Sequence, residues 1–196
     1  DISFEQLHRG YDCLYVAIGA QTGKGLRIDG AKAEGVISAV DLLKGIAVGA
    51  GMQVYQVPGA TGSLDTNWEG KAQAAIDALL RDGCDFAYIH LEAPDEMGHQ
   101  GLVKEKVQSI EYLDSRVIAP ICHAMEQAGE DYRILVLPDH PTPIRIRTHS
   151  SDPVPYVLYD STRQEKKRAH YTEAEAQATG IFYPQGYVLL DKLLKK

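Results

Sequence analysis

Cysteine is scarce in this chain: Cys13, Cys84 and Cys122 are the only three among 196 residues, an odd number with no metal-type spacing. That excludes a thiolate zinc cluster, and because all three lie in or beside apolar patterns, buried thiols in a reducing cytoplasm are expected. Basic charge is also in deficit. Twenty Lys and Arg stand against 27 Asp and Glu, a formal charge of -7, so the chain lacks the basic footprint that phosphate neutralisation requires and no nucleic-acid partner is expected. The one basic run, Lys166-Lys167-Arg168 with Arg163 before it, reads as a solvated loop. No apolar run is long enough to cross a bilayer and no signal-peptide pattern is visible, so neither a membrane partner nor export is expected. Nucleotide loops are missing as well. The glycines from Gly19 to Gly25 fit neither GxxxxGK[ST] nor GxGxxG opening a helix. There is no internal repeat and no low-complexity segment.

What is present is ordinary globular material, 44% apolar and 24% charged, enough for one well-buried domain or a large piece of a bigger one. Strands are expected at Cys13–Ile18, Val54–Val57, Cys84–Leu91, Arg133–Leu137 and Val154–Tyr159, the last near a sheet edge because of Pro153 and Pro155. Helices are expected from a Ser38 cap to Gly49, from Trp68 to Arg81, and through Val103, Val107, Ile110, Leu113, Val117, Ile121 and Met125. That last series predicts a continuous stripe facing a core, kinked at Pro120. A short amphipathic helix closes the chain from Gly186 to Lys196. Alternating strands and helices imply an α/β fold with a largely parallel sheet flanked by helices.

Chemistry gathers where strands end, as in α/β proteins generally. After the strand near residue 90 comes a loop bearing Asp95 and His99, a hard oxygen and a borderline nitrogen four residues apart that suit zinc, manganese or iron. The strand ending at Leu137 runs into Asp139 and His140, and His149 precedes the next strand. Each has a bland reading alone: a turn-forming aspartate before proline, a satisfied loop histidine, a surface histidine beside Thr148. Jointly placed at strand ends, they point to a metal site. His90 could support a ligand through a hydrogen bond. His8, His123 and His170 read as structural or solvated.

Two resemblances follow from longer stretches. Tyr11-Asp12, Val16–Ala20, Leu26–Gly30 and Gly35-Val36 resemble a segment of the glutamate-synthase small-subunit type of flavin and pyridine-nucleotide oxidoreductases. It covers about the first fifth of the chain and lacks the dinucleotide fingerprint, so it implies no redox function. Gly35–Gly45, Val57–Gly62, Glu92–His99, Pro138–Pro143 and Arg147–Pro155 together resemble the archaeal type of cofactor-independent (2,3-bisphosphoglycerate-independent) phosphoglycerate mutases, within the alkaline-phosphatase metalloenzyme superfamily.

The second resemblance implies an alkaline-phosphatase-like core, partial here. It divides the chain into a leader at 1–34 and the C-terminal part of a phosphatase-like metal-binding domain at 35–196. It implies an isomerase that interconverts 3-phosphoglycerate and 2-phosphoglycerate through a phosphoserine, acting on a small phosphorylated substrate in the cytoplasm. Two divalent metal ions are implied, manganese first, with zinc or magnesium as alternatives. Asp95, His99 and His149 map to one, and Asp139 with His140 to the other. The family's remaining aspartate ligand, its nucleophilic serine and its arginine-rich substrate-binding insert have no recognisable counterpart in residues 1–34. Ser38 belongs to a helix-cap motif. The chain alone is therefore expected to be inactive, and a non-catalytic folded fragment or another phosphotransferase of the superfamily, homoserine-kinase-like or a phosphatase, stays open. Oligomeric state is not legible.

Overall fold

The computed structural model describes residues 14–17, 39–163 and 170–194, with side chains from residue 44 onward. The Ser38 cap, most of the oxidoreductase-like stretch and the Lys166–Arg168 run lie outside the described residues.

The described residues form five strands and seven α-helices. Strand β1 (Leu14–Ala17) lies between β2 (Gln53–Val54) and β3 (Phe86–Ile89), and both pairings are parallel. Leu14 stands opposite Phe86 and Tyr15 opposite Gln53. Among the described residues the parallel sheet is thus three-stranded. Among the described residues, strand β4 (Arg133–Val136) pairs only with β5 (Val157–Asp160), antiparallel, with Arg133 opposite Asp160 and Val136 opposite Val157. The connection from Leu137 to Tyr156 contains no helix, the element that usually carries a parallel crossover over a sheet.

Helix α1 (Ala39–Gly49) leads into β2 through Gly51, whose φ of +75° suits glycine. Helix α2 (Trp68–Leu80) starts where Asn67 accepts a hydrogen bond from the Gly70 amide at 2.9 Å. It buries Trp68, Lys71, Ala72, Ala75 and Ala78, the three-and-four spacing of one helical face. Small alanines let α2 lie close to its neighbours, and Trp68 fills the remaining volume. Its ring meets Tyr112 edge-on at 5.9 Å and its indole N–H donates to the Leu64 carbonyl. Cys84, Ala93, Val117, Ile121 and Met125 complete this core. Cys84 is disulfide-bonded, a departure from the expected buried thiol, whereas Cys122 is a free thiol whose pKa burial pushes up.

The long helix foreseen after Val103 is three pieces: α4 (Val103–Tyr112), a π-helical segment (Leu113–Ile118) and α5 (Ala119–Ala128). Pro120 has no N–H to offer the ladder, and the Ser115 hydroxyl occupies the Glu111 carbonyl at 2.6 Å. The chain answers by widening its turn to i→i+5 bonding, as when the Ala119 amide donates to Asp114. Widening shifts the angular phase, so the apolar positions do not share one face. Val117, Ile121 and Met125 are buried, but Val103, Val107 and Ile110 are 56%, 51% and 49% exposed. The expected continuous core stripe is corrected accordingly. Helices α6 (Glu173–Ala178), capped by Thr172, and α7 (Val188–Leu194) finish the described chain.

Candidate metal centre

Asp95 and His99 lie not on a loop, as expected, but on an eight-residue helix, α3 (Ala93–Gln100). Pro94 sits in the first turn, where its missing N–H costs nothing, and Gly101 ends the helix at φ 74°. The Gly101 and Leu102 amides return to the carbonyls of Gly98 and Met97 at 3.1 and 2.9 Å. On a helix, residues four apart share a face. Hence His99 Nε2 stands 3.3 Å from Asp95 Oδ2.

The irregular segment after β4 brings the remaining donors to that face. Its turn is closed by the Ile146 and Arg147 amides on the Pro143 carbonyl and by the Ser150 amide on the Pro141 carbonyl. Arg147 adopts φ 53°, a conformation unusual for a non-glycine residue and one that concentrates at functional sites. Its carbonyl oxygen lies 3.0 Å from His99 Nδ1. A carbonyl only accepts, so His99 carries a proton on Nδ1, which leaves Nε2 as the ring atom available to a metal.

His149 Nε2 lies 3.1 Å from His99 Nε2 and 3.5 Å from Asp95 Oδ1. One donor atom from each of Asp95, His99 and His149 falls within 4.8 Å of the others. His140 joins them: its ring centroid is 3.7 Å from that of His149, and its Nδ1 is 4.0 Å from Asp95 Oδ1. Asp139 is largely exposed, with Oδ2 3.4 Å from His140 Nε2 and Oδ1 accepting from the His140 amide. All five residues singled out in the sequence thus fall in one neighbourhood, with Asp95 within 4.0 Å of each of the three imidazoles and Asp139 beside His140.

The donor set fits a divalent cation. Two imidazole nitrogens each about 2.1 Å from one ion stand roughly 3 Å apart, close to the His99–His149 separation. A carboxylate beside two imidazoles is also a combination borderline metals accept. Among the described residues, Asp139 and His140 offer a second ion only two side chains.

Two participants had not been identified in the sequence. Thr142 is buried; its hydroxyl donates to Asp95 Oδ1 and lies 3.3 Å from His140 Nδ1. Lys106 on α4 donates to the Thr142 carbonyl at 2.7 Å; burial lowers its pKa, against the opposing effect of the Asp95 charge. His90 turns elsewhere: its Nδ1 is 3.5 Å from Glu92 Oε1 and makes no hydrogen bond among the described residues. Its carbonyl accepts from the buried Lys71. His170 is exposed and faces Glu175 at 3.1 Å.

The family model described as Metalloenzyme superfamily matches residues 29–183. A 2,3-bisphosphoglycerate-independent phosphoglycerate mutase of Methanothrix thermoacetophila is 56% identical over 126 residues, 64% of this chain and 32% of that protein. That of Methanosarcina acetivorans is 49% identical over 149 residues, 76% of this chain and 37% of its own length. A probable enzyme of the same name from Geobacter sulfurreducens is 48% identical over 162 residues, covering 82% and 40%. The chain therefore spans well under half the length of the curated relatives it matches, between 28% and 40%. Among solved structures, the PH0037 protein of Pyrococcus horikoshii superposes with a TM-score of 0.58 at 33% identity, over 71% of this chain and 41% of that one.

Proposed function

The chain belongs to the metalloenzyme superfamily, and from that premise we propose that it supplies the metal-holding part of a phosphoglycerate mutase. The reading places one divalent ion on Asp95, His99 and His149 and a second on Asp139 and His140, manganese in both. The relatives named as 2,3-bisphosphoglycerate-independent phosphoglycerate mutases support the reaction, interconversion of 3-phosphoglycerate and 2-phosphoglycerate. The single observation that carries the metal assignment is the convergence of three donors from α3 and the 141–150 loop within 4.8 Å.

When bound, the ions would supply Lewis-acid stabilisation of charge on a transferred phosphoryl group and lower the pKa of a hydroxyl nucleophile. The chain's own residues have simpler tasks. His99 is held by the Arg147 carbonyl through Nδ1, which leaves Nε2 available to a metal, and Asp95 contributes negative charge that favours any cation nearby. No residue of this chain is assigned as the nucleophilic serine, and the chain alone is inactive in this reading.

Isothermal titration with manganese tests the assignment. The wild-type chain binds it, and Asp95→Ala and His99→Ala bind at least tenfold more weakly. Equal binding by all three would overturn the metal reading. A coupled assay with 3-phosphoglycerate and manganese is expected to give no turnover by this chain, and robust turnover would overturn the claim that the nucleophile lies elsewhere.

A further inference from the structure

The hydroxyl of Thr142 stands between the two ligand pairs. Asp95 Oδ1 and His140 Nδ1 are 4.0 Å apart, too far for a direct bond, and Thr142 Oγ1 makes a close contact to the first and lies 3.3 Å from the second. A hydroxyl has one proton to give. Since a carboxylate can only accept, that proton goes to Asp95. Thr142 Oγ1 then has only lone pairs left for His140, so His140 donates from Nδ1–H. The consequence is at the far side of the ring: Nε2 carries the lone pair, and Nε2 is the atom 3.4 Å from Asp139 Oδ2.

The threonine is itself fixed. It is buried, and its carbonyl oxygen accepts from Lys106 Nζ at 2.7 Å. It also presses on α3 at Gly98, where a Cβ would come within 2.7 Å of that carbonyl oxygen. The hydroxyl therefore has little freedom to serve one neighbour without the other.

We propose that Thr142 is a positioning residue that couples the two metal half-sites, one hydroxyl orienting Asp95 of the first and setting the imidazole tautomer of His140 in the second. The proposal rests on the metal assignment above. The role parallels that of the Arg147 carbonyl toward His99, with a difference: a carbonyl serves one ligand, and this hydroxyl serves two.

Thr142→Val removes the hydroxyl and keeps the volume, Thr142→Ser restores it, and Thr142→Ala replaces valine should the buried site reject the second methyl. Two measurements apply. Long-range 15N–1H correlation on the metal-free chain reads the His140 tautomer directly: Nδ1–H is expected in wild type and Thr142→Ser and is lost from Thr142→Val or Thr142→Ala. Manganese titration is expected to show affinity reduced about 10- to 100-fold in Thr142→Val, as for lost partners of metal ligands generally, with Thr142→Ser within about threefold of wild type. A His140 tautomer unchanged by Thr142→Val would overturn the proposal, as would unchanged manganese affinity in that variant while Asp95→Ala abolishes binding. If Asp95→Ala binds like wild type, the metal assignment itself fails, and the two failures are told apart.

Discussion

Replacing Lys71 by methionine should change how stability depends on pH. Lys71 sits on α2 with 1% of its surface exposed, and its ammonium donates to the His90 carbonyl at 3.2 Å. Burial lowers its pKa from 10.5 to about 8, Glu92 opposing the shift. In the unfolded chain the group keeps its ordinary value. Between about pH 8 and 10.5 the unfolded state therefore binds a proton that the folded state does not, and stability must rise with pH across that window. Below pH 8 both states are protonated, and the folded state carries a constant penalty of about 3 kcal/mol for the desolvated charge. Moving from pH 7 to pH 10 should relieve roughly 2–3 kcal/mol of it. Lys71→Met has no such group, so the gap between wild type and variant should shift by that amount toward wild type. At neutral pH the two should lie close together, because losing the penalty is offset by about 1–3 kcal/mol for an unpaired His90 carbonyl. Urea denaturation of both proteins at pH 7 and pH 10 measures the gap, and tyrosine titration cancels in the difference. Parallel profiles would refute the argument, since they would mean that Lys71 keeps its ordinary pKa in the folded protein.

Asp160 should make stability rise with pH as well, in the acid range. The Thr162 hydroxyl, and after it Arg133, hold its carboxyl at about 2 against an ordinary 3.8. Wild type therefore carries a stabilising contribution above pH 3.8 that disappears as pH falls through about 2, and in thermal unfolding the gap to Asp160→Asn should close over that interval. Gly98→Ala would set a Cβ 2.7 Å from the Thr142 carbonyl oxygen and 2.8 Å from Lys106 Nζ. The lysine tip can move but the backbone cannot easily do so, so a loss of about 1–3 kcal/mol in urea denaturation is expected, together with weaker manganese binding in calorimetry. Trp68→Ala empties the centre of the core and should cost about 3–5 kcal/mol by the same denaturation measurement.

The apolar spacing of the sequence located most elements and misjudged what some of them face. Helix α2 was legible because its small residues recur on one face and Asn67 marks its start. In α4 periodicity misled. Its outward face carries Val103, Val107 and Ile110, and its inward face carries Lys106 and the fully buried Ser109. The inward polar groups are satisfied locally, Ser109 donating to the Lys106 carbonyl at 2.7 Å and Lys106 to Thr142. Burial can follow from such bonds as well as from hydrophobicity. Nor could spacing foresee the π segment, because it accompanies two local features, the missing N–H of Pro120 and the Ser115 hydroxyl on the Glu111 carbonyl. Helix α3 did leave signals, Pro94 and Gly101, but at eight residues it is too short to show periodicity.

The candidate centre divides along the same line. Which residues carry ligand chemistry was legible, since Asp95, His99, Asp139, His140 and His149 are donors by residue type. What makes them usable was not. A metal-binding histidine is oriented by what occupies its other nitrogen, and for His99 and His140 the occupants are the Arg147 carbonyl and the Thr142 hydroxyl. Neither belongs to a residue type that ligand spacing would select. The first is backbone at a strained φ, and the second is a threonine whose two partners lie 47 and two residues before it in the chain. Both occupants lie in the helix-free connection between β4 and β5. Strand β5 returns antiparallel to β4, and the segment between them folds onto α3. The connection that departs from the expected parallel pattern is thus the one that assembles the donors.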